Sequence, residues 1–133
     1  MIPEVYIMGH PPMNANEKFA SLKEISLIGS DEVLEAAERG DYYERLLCFY
    51  NQVRGAYYFS DKSVSFMGGF AGTVNWTVKY PDIKRIKKCP VGLFLPFGIK
   101  VYYYDENKGK DRSYKMSVLN RQTWINFLED KIR

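Results

Sequence analysis

The chain has 133 residues, 46% of them hydrophobic and 26% charged, with a formal net charge of +3. That is the size and balance of one domain, able to bury roughly two-thirds of its unfolded surface, and 11 Tyr with 8 Phe exclude a disordered tail. No run of about 18 apolar residues is present, which excludes a membrane-spanning helix.

In chain order, Pro3, Pro11 and Pro12 predict an extended lead-in. Asn16 is placed to cap a short helix over 17–26, with Phe19, Leu22 and Ile25 on one stripe. Ser30, followed by Asp31 and Glu32, predicts a second helix whose apolar face is Val33, Leu34 and Ala37 and which Gly40 ends. The period then changes to 2. Strands are predicted over 44–51 and 54–60, joined by a short turn at Gln52 and Val53. Asp61-Lys62 turns into a strand over 63–67. Gly68, Gly69 and Gly72 predict a bulged connection.

Residues 73–80 alternate most clearly: Val74, Trp76, Val78 and Tyr80 against Thr73, Asn75, Thr77 and Lys79. Further strands are predicted over 83–88, 99–106 and 112–118, the last two joined by a turn at Asn107–Lys110 that contains Gly109. Asn120 caps a final helix running to about residue 131, with Trp124, Phe127, Leu128 and Ile132 on one stripe.

Charge is uneven along the chain. Residues 1–45 carry a net −5 and residues 79–115 a net +6. Such asymmetry bears on partners and not on fold. It fits an anionic partner for the second half, or an acidic first half lying beside a basic second half.

Chemistry finds little support. Cys48 and Cys89 form no disulfide framework or zinc motif, and Cys48 reads as a small core residue. His10 stands alone before Pro11-Pro12 and reads as a loop residue, not a metal ligand. There is no nucleophile elbow, no phosphate-cradling Gly-Lys-Ser loop and no dinucleotide fingerprint. Asp105-Glu106 and Glu129-Asp130 are sequence neighbours at a turn and a helix end, so neither pair converges on a substrate. The expectation is a protein that is not an enzyme and holds no metal or cofactor. Met1-Ile2-Pro3-Glu4 lacks a basic segment followed by an apolar one, so a cytoplasmic location is expected, peripheral to a membrane if it meets one.

About seven antiparallel strands before one C-terminal helix is the order of a pleckstrin-homology-type barrel, and residues 44–132 resemble the GRAM branch of that superfamily. The resemblance lies in Glu44-Arg45-Leu46-Leu47, in Gly55-Ala56-Tyr57-Tyr58-Phe59-Ser60 followed by Ser63-Val64-Ser65-Phe66, and in Tyr80-Pro81-Asp82-Ile83-Lys84-Arg85-Ile86. It implies a mainly β (α+β) fold: a seven-stranded antiparallel barrel over residues 44–133, closed by a C-terminal helix plugged with Trp124 and Phe127. Residues 1–43 form an N-terminal helical extension. It also implies a non-enzymatic module for phosphoinositides, other anionic lipids or proteins. The first hairpin offers only Arg45 and Arg54, too little charge for a specific inositol phosphate pocket there.

The candidate site is the segment 91–98 with its flanks. Leu93, Phe94, Leu95 and Phe97 are predicted to form an apolar contact loop. Lys84, Arg85, Lys87, Lys88 and Lys100 flank it as anion- or membrane-binding cations. An apolar loop beside cations suits a membrane interface, and it suits a homo-oligomer contact or packing on the chain's own barrel equally. The expected partner is therefore a protein or an anionic lipid surface, with self-assembly lacking any lipid role as the alternative. Tyr102 and Tyr104 interleave with Lys100, and Tyr114 lies between Arg112 and Lys115. That mixture fits single-stranded nucleic acid, which ranks below the other partners because the pI is only 8.8.

Overall fold

The computed structural model describes residues 7–46, 49–92 and 95–133. Helix α1 (Ala15–Glu24) precedes seven strands: β1 (Leu34–Leu46), β2 (Phe49–Ser60), β3 (Ser63–Gly68), β4 (Val74–Lys79), β5 (Ile83–Val91), β6 (Leu95–Asp105) and β7 (Lys110–Ser117). Helix α2 (Arg121–Ile132) follows. The strands form one antiparallel sheet in the order β4-β3-β2-β1-β7-β6-β5. The expected mainly β architecture with a C-terminal helix is therefore present. The ladder itself does not close, because β4 and β5 are its two edges.

Side chains bring the two halves of the sheet together instead. Trp76 of β4 stacks on Tyr114 of β7 at 3.9 Å between centroids, and Tyr114 stacks on Tyr103 of β6 at 4.9 Å. Tyr42 of β1 meets Trp76 and Tyr114 edge-on. The main core draws residues from every strand and from α2. Trp124 lies flat against Phe59 at 4.5 Å, and Phe127 meets the same ring edge-on at 5.2 Å. Trp124 is buried and Phe127 half-buried, so the closing helix is docked by the expected residues.

A second, smaller core lies on the outer face of the β1–β2 hairpin. Phe19 and Leu22 of α1 pack there with Ala37, Ala56 and Tyr58. Alternation makes this possible: Ala36 faces the main core and Ala37 faces α1.

The helix predicted from Ser30 to Gly40 does not form. Its apolar residues instead begin β1, which pairs with β2 from Leu34↔Ser60 through Leu46↔Phe49. The backbone of the lead-in adds hydrogen bonds along this stretch, with the Ala37 N–H donating to the Met8 carbonyl and Arg39 N–H to His10. Tertiary pairing has overridden local helix preference. The acidic residues that looked like a helix start serve other ends. Asp31 pairs with Lys62. Glu32 is buried and accepts hydrogen bonds from the Ser60 hydroxyl and the Gly29 N–H, both at 2.6 Å. Gly40 is not a helix stop. A Cβ there would lie 2.4 Å from the Ser117 carbonyl oxygen, so glycine permits the close approach of β1 and β7. Strand β1 thus runs across the boundary expected at residue 43.

Other expectations shift in detail. The strand expected over 44–51 spans the end of β1 and the start of β2, because buried Val53 continues the ladder opposite Tyr42 and leaves no turn at 51–53. Helix α1 starts two residues earlier than expected. Asn14 precedes it in a left-handed conformation (φ 59°), and Asn16 lies inside the helix. Asn120 does occupy the position before α2, but its side chain caps nothing; its backbone carbonyl accepts from the Trp124 N–H at 3.3 Å. The expected core residue Cys48 lies outside the described residues.

Candidate anion-binding face

The outer face of β5, β6 and β7 gathers cations by register. Lys87 is directly opposite Lys100, and Lys100 is directly opposite Lys115. Residues opposite one another share a face of the sheet, and neighbouring strands lie about 4.8 Å apart. The three ammonium groups therefore start from backbone positions spanning about 10 Å. Like charges directly opposite one another oppose folding. Among the described residues, none of the three forms an ion pair with a carboxylate.

Tyrosines hold Lys100, Lys115 and two neighbouring cations in place. The Arg85 guanidinium lies over the Tyr102 ring at 4.5 Å and Lys100 lies over the same ring at 5.5 Å. Lys84 reaches the Tyr104 ring at 5.8 Å. Lys115 sits over Tyr50 at 4.8 Å and Tyr43 at 5.7 Å. Each ring offers the negative face of its quadrupole, a contact worth about 0.5–1 kcal/mol at exposed sites. It positions a cation without neutralising it.

Toward the β6–β7 hairpin the face deepens into an open groove of about 330 Å³. Arg45, Lys100, Lys110, Arg112 and Lys115 line it with Tyr43 and Tyr50, and Asp111 is its one carboxylate among the described residues. Arg112 is pinned to Asp105 at 3.2 Å. Its guanidinium is partly desolvated, yet the hydrogen bond to Asp105 raises its pKa above the ordinary arginine value.

Of the five cations expected from sequence, Arg85, Lys87 and Lys100 meet on this face, and Lys84 joins them at its edge. Lys88 is opposite Ile99, a core residue, so it sits on the other side of the sheet edge. Sequence reasoning passed over Lys115 as a site residue, together with Tyr43 and Tyr50. The alternation of β7 already turned Lys115 away from Tyr114 and Met116. Only the register shows that it stands beside Lys100.

The apolar loop expected over 91–98 is shorter than predicted. Val91 ends β5 buried, Gly92 turns with φ 60°, and Leu95 and Phe97 belong to β6. Leu95 is 53% exposed and Phe97 is half-buried. Leu93 and Phe94 lie outside the described residues. Leu95 is five residues from Lys100 along β6, about 17 Å at the rise of a strand. It lines an open groove of about 270 Å³ together with Phe97 and Leu119, which is 71% exposed.

Two other groups bear on chemistry. Burial pushes the Cys89 thiol up in spite of nearby Lys115, Lys100 and Arg121, so it stays protonated and a poor nucleophile. His10 is more than a loop residue. Its backbone N–H donates to Glu38 Oε2 at 3.1 Å, and its Nδ1 lies 3.0 Å from Glu38 Oε1. Glu38 is buried on β1, so His10 supplies the partners that a buried carboxylate requires.

No protein-family model matches the chain, and no curated protein matches it. Solved structures do. The C-terminal domain of an unknown protein from Leishmania infantum superposes with a TM-score of 0.66 at 15% identity, over 90% of this chain and 100% of that one. The DH/PH domains of p115-RhoGEF give 0.59 at 6% identity, over 90% of this chain and 35% of that one. The hSac2 domain from the human phosphoinositide phosphatase Sac2 gives 0.54 at 11%, over 90% and 82%. At these identities the likeness is one of fold, a pleckstrin-homology-like arrangement of seven antiparallel strands and a closing helix. Among the described residues no helix is long and apolar enough to cross a membrane.

Proposed function

We propose that the chain is a non-enzymatic binding module of GRAM-like kind that docks reversibly on an anionic membrane surface from the cytoplasmic side. The observation that carries this reading is the row Lys87–Lys100–Lys115. Three like charges share one face opposite one another and lack a carboxylate partner among the described residues. An arrangement that opposes folding fits a surface whose counter-charge comes from outside. The fold of a pleckstrin-homology domain and of a domain from a phosphoinositide phosphatase is a further support.

Each cation brought near an anionic bilayer contributes about 1 kcal/mol, so the three lysines together supply about 3 kcal/mol, and that part is screened by salt. Exposed Tyr50, which lies against Lys115, adds apolar contact that salt does not screen.

The test is co-sedimentation with vesicles of phosphatidylcholine alone and of phosphatidylcholine with phosphatidylserine. Binding is expected only to the anionic vesicles, falling as salt rises, and lost in a Lys87→Glu, Lys100→Glu double variant. No binding by the parent at low salt would end this reading. The exposed pair Leu95 and Leu119 beside Phe97 favours one alternative, self-association with no lipid role. It would appear as a solution mass above that of the single chain that falls on Leu95→Ser.

A further inference from the structure

A second basic groove lies on the other half of the sheet. It is an open cleft of about 690 Å³ between α1 and the outer face of β1–β3, within the range of ligand sites. Its floor is Tyr58 and Met67, and Ile25, at the end of α1 and 55% exposed, forms a wall. Three cations stand on it: Lys18 from α1, Arg39 from β1 and Arg54 from β2.

Register explains the two arginines. Arg39 is opposite Ala56, two residues from Arg54, so the arginines are diagonal neighbours on one face. Arg54 is directly opposite Asp41, which would be its natural partner. Asp41 is instead engaged by the Gln52 side-chain amide, which donates to Oδ2 at 2.6 Å. Among the described residues neither arginine nor Lys18 forms an ion pair, and no carboxylate lines the cleft. Lys18 and Arg39 belong to residues 1–45, a segment whose net charge is −5. Tyr58 is 1% exposed, and burial holds its hydroxyl protonated as a donor, its pKa pushed up to about 12.

We propose that this cleft binds an acidic peptide segment of a protein partner, one that places a large apolar side chain against Met67 and Ile25 and carboxylates on Arg39, Arg54 and Lys18. Charge complementarity selects the carboxylates, and Arg, Met and aromatic residues are the types enriched where proteins meet. The open, wide shape suits an extended segment. The site is independent of the Lys87–Lys100–Lys115 face, so vesicle binding can fail without touching it.

The experiment immobilises the full chain and selects from a random-peptide display library. An enriched peptide is then synthesised with a fluorescein label and titrated by anisotropy at physiological salt. Enriched peptides are expected to carry two or more Asp or Glu around one Phe, Leu, Ile or Trp. An Arg39→Glu, Arg54→Glu double variant should weaken the peptide by about tenfold or more. The Lys87→Glu, Lys100→Glu variant should bind as the parent does. Both arginines are exposed, so the variants are expected to fold. Should one not, the same peptide with its carboxylates changed to amides, titrated against the parent, must show the same loss. The proposal is overturned if no acidic peptide is enriched. It is equally overturned if binding survives the arginine changes or is lost in the lysine variant.

Discussion

Trp124→Ala tests whether the closing helix is part of the core. The indole is 1% exposed, stacks on Phe59 at 4.5 Å and meets Phe127 at 5.7 Å. A tryptophan of this burial removes roughly 200 Å² from water, about 5 kcal/mol at 25 cal/mol per Å². Alanine keeps a small part of that and leaves a cavity, so a loss of about 3–5 kcal/mol is expected. For a chain of this length that is a drop of roughly 10–20 °C in Tm. Among the described residues the buried indole N–H has no partner, so no hydrogen bond among them is lost with it. Trp124→Phe should therefore fall well short of the alanine loss, since it gives up volume alone. Thermal and urea melts followed by circular dichroism measure both. A Trp124→Ala melt that overlays the parent would refute the docking of α2 on Phe59. A Trp124→Phe loss as large as that of alanine would refute the reasoning that ring packing carries the effect.

Gly40→Ala should destabilise by about 1–3 kcal/mol, because the new methyl meets the Ser117 carbonyl at 2.4 Å and pushes β1 from β7; a urea midpoint equal to the parent's would contradict it. Lys100→Glu should have opposite effects in two assays. Relief of the like-charge row should leave stability unchanged or raise it by up to about 1 kcal/mol, read from the urea midpoint, while anionic vesicle binding weakens. Alkaline pH should erode stability in a defined window. Burial raises the hydroxyls of Tyr42 and Tyr58 from the ordinary 10 to about 12, so the fold favours their neutral forms. That stabilisation is whole below pH 10 and is lost as pH rises through 12. Tm is therefore expected to be flat from pH 7 to 9 and to fall above 10, and a flat profile to pH 12 would contradict it.

The strands and helices whose pattern is local were legible in the sequence. Val74, Trp76 and Val78 alternate because β4 has one face in the core, and Asp61-Lys62 and Asn107–Lys110 turn where short polar residues and glycine allow it. The stripe of Trp124, Phe127 and Leu128 placed α2 for the same reason. Residues 31–40 read locally as a helix, by composition and by the helical spacing of Val33, Leu34 and Ala37. The choice fell to partners distant in sequence: β2 on one side, and on the other the lead-in at Met8 and His10, with β7 joining only beyond Gly40. The site divides in the same way. Basic residues in 84–100 and the outward face of β7 could be read locally. That Lys87, Lys100 and Lys115 stand in one row, that Arg39 and Arg54 share a cleft, and that His10 serves Glu38 are facts of register and docking. A strand's own period fixes which face a side chain takes. Only pairing with other strands fixes what stands beside it on that face.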